Sequence, residues 1–213
     1  MSDTTYIPVG SGTEVGFLKF LQDAEVPIHL LIQRKLGKIV ASSPFSPYKK
    51  RSAVALYHPD RQDKIVVYVK GAPEEVLKLC QSQIGEGGEI TGLDEGNSEF
   101  LYDNNIKSMC GKPLRVLAFA YAEMDAEEFR STIADGVSAD QALEEAFTSQ
   151  SLPLTFIGAF GLKDPLRPKV QSCIRHAQES GKINVRMVSG DHIDTATEVA
   201  IKAGILKRED LSS

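Results

Sequence analysis

Long hydrophobic runs, paired cysteines and a surplus of basic charge are all missing from this sequence, and each absence removes a class of function. No apolar run approaches the ~20 residues needed to cross a bilayer. The opening Met-Ser-Asp-Thr-Thr-Tyr lacks the basic and apolar segments of a secretory signal, so a soluble, cytosol-facing piece is expected. Cys80, Cys110 and Cys173 are odd in number, widely spaced and without a Cys-x-x-Cys pair. Neither a zinc site nor a disulfide framework is expected from them, and no metal ligands are assigned. Lys and Arg number 24 against 29 Asp and Glu, a net charge of −5. A nucleic-acid partner, which needs a concentrated basic face, is therefore not expected. The 213 residues suffice for one large domain, or for one domain and part of a second.

What is present divides into two textures. Residues 13–24 read as a helix, with Val15, Leu18 and Leu21 at helical spacing and Thr13 as its cap. A second helical stretch is expected over 28–36, and a short strand over 38–42. The β-rich runs 51–57 and 64–69 flank turn chemistry at 58–63 and read as a hairpin. The second run leads into Lys-Gly-Ala-Pro-Glu at 70–74, where Pro73 and two acids suit a helix start. That helix carries Val76, Leu77 and Cys80 on one face. Residues 81–96 read as a loop, 99–109 as a helix, 112–121 as a strand, and 125–149 as a polar excursion of short helices and loop. From Leu154 the pattern changes to strand (154–162), helix (169–180), strand (183–188) and helix (194–203), as parallel α/β packing requires. Two folding styles imply two domains, meeting around 163–167.

Several side chains in this layout could carry chemistry. Lys70, at a strand end beside Gly71, can reach a phosphate, because glycine lets backbone and ligand approach; in a plain strand-to-helix turn it would simply be solvated. Phe45, in Pro-Phe-Ser-Pro-Tyr at 44–48 and followed by Lys49, Lys50 and Arg51, offers an aromatic face and a cationic tail that suit a purine polyphosphate. It could equally be a core ring before a solvated basic run. Glu14 follows the proposed cap and has a default role at the helix dipole. Arg115 interrupts an apolar strand, as an edge residue or as a ligand contact. Ser189, Gly190 and Asp191 close a strand before a helix, a phosphate-handling geometry that ordinary loops share. Asp164 and Arg167, among Pro165 and Pro168, fit a stiff hinge or a salt bridge.

The order of these motifs carries more than any one of them. Gly-Thr-Glu-Val-Gly-Phe-Leu-Lys-Phe-Leu (12–21), Phe-Ser-Pro-Tyr-Lys-Lys-Arg-Ser (45–52), Val-Lys-Gly-Ala-Pro-Glu (69–74), Leu-Arg-Val-Leu-Ala (114–118), Gly-Leu-Lys-Asp-Pro-Leu-Arg-Pro (161–168) and Met-Val-Ser-Gly-Asp (187–191) follow one another. In this succession the chain resembles the cytosolic headpiece of type II P-type cation-transporting ATPases, especially plasma-membrane-type calcium pumps, from about Gly10 to the end. The resemblance implies an α/β fold in two parts. An α+β nucleotide-binding domain with an antiparallel sheet flanked by helices would span 1–163. A hinge and a fragment of a parallel haloacid-dehalogenase-like phosphorylation domain would span 164–213.

It also implies site roles. Phe45 would stack on adenine, Glu14 would contact the adenine side, and Lys70, beside Gly71, would line the deep end. Lys50 would sit near the pocket and Arg115 would reach the phosphates of ATP. Asp164 and Arg167 would touch nucleotide on domain closure, and Ser189, Gly190 and Asp191 would handle the transferred phosphoryl group. Position 189 is usually threonine in the family; serine keeps the hydroxyl.

The family's phosphorylated aspartate, in Asp-Lys-Thr-Gly-Thr, does not occur here, nor does Gly-Asp-Gly-x-Asn-Asp, which helps to hold Mg2+. The expectation is a monomeric portion of a multi-pass membrane pump. Its partners would be ATP and the remaining pump domains, and it would bind nucleotide without turning it over. Two other readings remain at this level: the same domain of another cation pump, and an interaction module of this fold that binds no nucleotide. A stand-alone phosphatase would need an Asp-x-Asp pair, which Asp191-His-Ile-Asp194 is not.

Overall fold

The computed structural model describes residues 9–30, 38–110, 112, 114–134, 137–149, 151–163, 165–189 and 193–211. Among the described residues, seven strands form one sheet: β1 (Ile39–Ser46), β2 (Arg51–Tyr57), β3 (Lys64–Gly71), β4 (Cys80–Ile84), β5 (Ile90–Gly92), β6 (Arg115–Asp125) and β7 (Leu154–Leu162). Their spatial order is β1-β2-β3-β6-β7-β4-β5. All neighbours are antiparallel except β4 and β7. Thus β7 belongs to this sheet and does not open a separate parallel unit.

Strand alternation gives the sheet two unlike faces. Ala53, Ala55, Ile65, Val67, Val69, Ala118, Ala120 and Ala122 line one face and are buried. The helices α5 (Ala126–Ala134) and α6 (Ala139–Thr148) supply Phe129, Leu143 and Phe147 to the same core. Small side chains on the strands let these larger ones pack close to the backbone. The short helices expected within 125–149 are present as α5 and α6, and despite their polar surface they form a core layer. The short α2 (Pro73–Leu77) adds Val76 and Leu77, with Pro73 at its start.

Residues 81–96, expected as loop, hold β4, β5 and the first residues of α3 (Glu95–Leu101), which is capped by Asp94. A π-helical turn (Tyr102–Ile106) leads into α4 (Lys107–Cys110). Cys80 opens β4 instead of closing the preceding helix. Its buried thiol donates to the Val76 carbonyl at 3.2 Å, and burial pushes its pKa up to about 12.

The helix expected at 13–24 is α1 (Gly12–Asp23), and its cap is Ser11, not Thr13. The Ser11 hydroxyl accepts from the Glu14 N–H at 3.3 Å while the Glu14 carboxylate accepts from the Ser11 N–H at 3.4 Å, a capping box. Of the stretch expected at 28–36, residues 28–30 are helical and the rest lies outside the described residues.

Beyond β7, α7 (Val170–Glu179) and α8 (Ile193–Ala203) are joined by a bond from the Gln171 amide to the Lys202 carbonyl at 2.5 Å. The strand expected at 183–188 is absent: no residue there is paired. Ile183 is 58% and Val188 97% exposed. A strand exists only with a neighbour to complete its ladder, and the described residues bring none beside this run.

Candidate functional site

The open face of the sheet gathers most of the sequence-selected residues. Ser52, Lys70, Phe119 and Gly158 are successive cross-strand partners through β2, β3, β6 and β7, so Lys70 and Phe119 share one face. Leu117 and Arg115 follow on that face along β6. The helix α1 lies against it. Phe17 packs edge-on to Phe119 at 5.0 Å and to Phe160 at 5.9 Å, and Phe20 reaches Phe160 at 5.7 Å. Edge-to-face pairs of this kind add about 0.5–1.5 kcal/mol each beyond their buried area. Gly16 sits where a Cβ would lie 2.9 Å from Leu162, which lets the helix come this close.

Docked in this way, α1 places two polar side chains over the strand ends. Glu14 pairs with the Lys70 ammonium at 3.3 Å, and the Thr13 hydroxyl accepts from the Arg115 guanidinium at 3.3 Å. The Ser11 hydroxyl, and after it Lys70, holds the Glu14 carboxyl below its usual value. The pair stays in contact with water, with side chains 39% and 54% exposed. Exposed pairs contribute only about 0.2–1 kcal/mol, so a ligand could rearrange this one at little cost.

Phe45 reaches the same face through a defect in β1. Ser43 pairs with Ala53, but Ser46 pairs with Arg51, a shift of one residue. With unbroken register, Phe45 would oppose Arg51 on the helix-covered face. The shift gives that place to Ser46 and turns Phe45 toward the face of Ser52 and Lys70. The ring is 64% exposed. A hydrophobic side chain so open, facing the same way as a cation on the next strand but one, is available for stacking.

Lys50 lies in the β1–β2 turn with φ of 48°, and its ammonium is 3.5 Å from Glu74. Gly71 serves a close approach, but to the chain itself: a Cβ there would lie 2.6 Å from the Lys50 carbonyl oxygen. The Ala72 N–H also bonds that oxygen, at 2.9 Å. Arg167 and Ser189 are exposed, while Asp164, Gly190 and Asp191 lie outside the described residues.

On the opposite face, Glu144 of α6 gathers Arg51, Lys49 and Ser43. Arg51 is 3.0 Å away, Lys49 is 2.9 Å away, and the Ser43 hydroxyl donates to it. Burial pushes this carboxyl up, yet the Ser43 and Lys49 hydrogen bonds and the Arg51 charge together hold it below its usual value.

A cleft of about 730 Å³ elsewhere is lined by Glu74, Asp94, Glu95, Glu99 and Asp103 among others. Its acidic wall would repel a polyphosphate, so it does not compete with the open face. Among the described residues, no group of three or more His, Cys, Asp or Glu could hold a metal ion. No helix among them is long and apolar enough to cross a membrane.

Sequence reasoning did not select Phe17, Phe119, Phe160 or Glu144. Phe119 was within reach, since alternation from Arg115 through Leu117 leads to it. Glu144 carried no sequence signal, because its partners lie about a hundred residues away.

The model for the P-type ATPase cytoplasmic domain N matches residues 2–169. Calcium-transporting ATPase 3, plasma membrane-type, of Oryza sativa subsp. japonica is 36% identical over 217 residues, covering 99% of this chain and 18% of that protein. Putative calcium-transporting ATPase 7, plasma membrane-type, of Arabidopsis thaliana is 33% identical over 180 residues, covering 84% of this chain and 16% of its own length. Calcium-transporting ATPase 8, plasma membrane-type, of Arabidopsis thaliana is 32% identical over 207 residues, 95% of this chain and 18% of its own. The chain thus spans less than a fifth of the length of these relatives. The matched family model covers the seven-stranded sheet and its helices entirely, and the chain belongs to the P-type ATPases as a cytoplasmic domain N.

Proposed function

We propose that the chain binds ATP on the open face of its sheet, as the nucleotide-binding portion of a calcium-transporting pump. The observation that carries this reading is the shared face of Phe45 and Lys70, set by the one-residue shift in β1 and by the Ser52–Lys70 pairing. Phe45 would stack on adenine, with Glu14 at the adenine side. Lys70 would close the deep end beside Gly71, with Lys50 near the rim. Arg115, held by Thr13, would meet the phosphates. Three cations and one exposed ring suit a purine polyphosphate.

Residues 1–163 would form the nucleotide domain, and 164–213 a hinge and part of the phosphorylation domain. Asp164 and Arg167 would touch nucleotide when the domains close, and Ser189, Gly190 and Asp191 would steady the transferred phosphoryl group. In the complete pump, that group would pass to an aspartate, with Mg2+ neutralising charge. No residue described here is assigned to the metal. Because Asp-Lys-Thr-Gly-Thr is not in this sequence, the chain as given would bind nucleotide as a monomer without hydrolysing it. The relatives' names favour calcium as the transported ion and a membrane location with this portion facing the cytosol.

NMR titration with ATP tests the site. A dissociation constant on the order of 0.1–1 mM is expected, with perturbations around Phe45 and Lys70. Phe45→Ala should weaken binding about tenfold or more. No perturbation there up to several millimolar, again as an order of magnitude, would refute the reading.

A further inference from the structure

The face on which Phe45 stands depends on one irregularity in an edge strand, and the structure brackets that irregularity with a single carboxylate. Ser43, paired with Ala53, is the last β1 residue matched before this shift, and Arg51 is the partner of Ser46 after it. Both side chains end on Glu144: the Ser43 hydroxyl donates to one oxygen and the Arg51 guanidinium lies 3.0 Å from the other. Lys49, in the turn between, reaches that second oxygen at 2.9 Å. The Arg51 side chain is only 13% exposed and lies over the Phe147 ring at 5.1 Å, so its charge is committed to this place. One turn earlier on α6, Asp140 accepts the Ser42 N–H at 2.7 Å. That N–H points away from β2, where an edge strand would otherwise be unsupported.

Resting on the nucleotide reading above, we infer that Glu144 is a positioning residue for Phe45. By tying Ser43, Lys49 and Arg51 together beneath the sheet, it fixes the register shift that turns the ring to the Lys70 side. Without it, Ser43 and Arg51 lose their common anchor, and the unshifted register that sends Phe45 to the opposite face becomes accessible.

A double-mutant cycle tests this by NMR titration of the whole chain with ATP and, separately, with inorganic tripolyphosphate. Glu144→Gln should weaken ATP binding about tenfold in the native background and by less than about twofold in the Phe45→Ala background. Tripolyphosphate, which has no base to stack, should bind Glu144→Gln as it binds the native chain. Equal weakening of ATP in both backgrounds, no weakening in either, or parallel loss of tripolyphosphate would overturn the inference. If Glu144→Gln fails to fold, Asp140→Ala at an exposed position goes through the same cycle. It should weaken ATP several-fold only when Phe45 is present, and an effect independent of Phe45 would overturn the inference equally. A native chain that ignores ATP, or a Phe45→Ala variant that binds it normally, would instead refute the nucleotide reading itself.

Discussion

Residues 38–163 and 165–211 handle the same kind of apolar sequence in opposite ways. In the first region, strand runs are buried against neighbours; Ile65, Val67 and Leu154 are fully enclosed. In the second, Ala200 and Ala203 are the buried apolar residues among those described, and Ile193 is 71% exposed. The difference lies in where each strand finds its partner. The β2–β3 pair closes through a six-residue turn, and β6 and β7 then add to it. Its hydrogen bonds are made by segments that the chain itself supplies. The run at 183–188 has the composition of a buried strand but no ladder beside it among the described residues, so its apolar side chains face outward.

The largest expected effect separates the regions by stability. Phe129→Ala should cost about 3–5 kcal/mol in chemical denaturation, because α5 presses that ring into the closed core. Val188→Ala should stay within about 0.5 kcal/mol, since Val188 packs against nothing there to lose. Equal losses would mean that the second region has a core of its own.

Next is Gly71→Ala, expected to cost about 1–3 kcal/mol, because the new methyl would meet the Lys50 carbonyl, which cannot swing aside. A neutral result would show that the β1–β2 turn yields easily.

Smaller still is Ser11→Ala, about 1 kcal/mol in the same assay at neutral pH. The Glu14 carboxyl has a depressed folded-state pKa, so its stabilisation is present above the ordinary carboxylate value and is lost as pH falls through the lower one. The deficit of the variant should therefore shrink below about pH 4, and a pH-independent deficit would separate the cap from the carboxylate.

Last, with no change in stability, a thiol reagent at mild pH should label exposed Cys173. It should spare Cys80, whose burial raises its pKa to about 12, as peptide mass mapping would show. Labelling of Cys80 in the native state would mean that β4 opens readily.

The hairpin, the start of α2 and strands β6 and β7 were legible because composition and turn residues act locally. The strands β4 and β5 were not, since Gln81, Ser82 and Gln83 give β4 almost no apolar pattern and β5 is only three exposed residues at the sheet's margin. In 125–149, Phe129, Leu143 and Phe147 are too sparse to outweigh the acids around them. The candidate site divides along the same line. Motif order drew attention to Glu14, Phe45, Lys70 and Arg115. Which way Phe45 faces was not readable, because plain alternation from Ser43 gives the wrong side. The shift that corrects it depends on Arg51 and a helix almost a hundred residues away.

The two margins of the sheet bear on how the molecule behaves at high concentration. A foreign strand can extend a sheet only along a straight run of vacant backbone donors and acceptors. At one margin β5 is three residues long, too short to template such growth. At the other, β1 has eight residues, but Asp140 occupies the Ser42 N–H and Pro44 has none to offer. Self-association by strand addition is thereby discouraged at both ends, and at β1 the two devices, Asp140 on Ser42 and the proline at 44, come just before Phe45 in the strand.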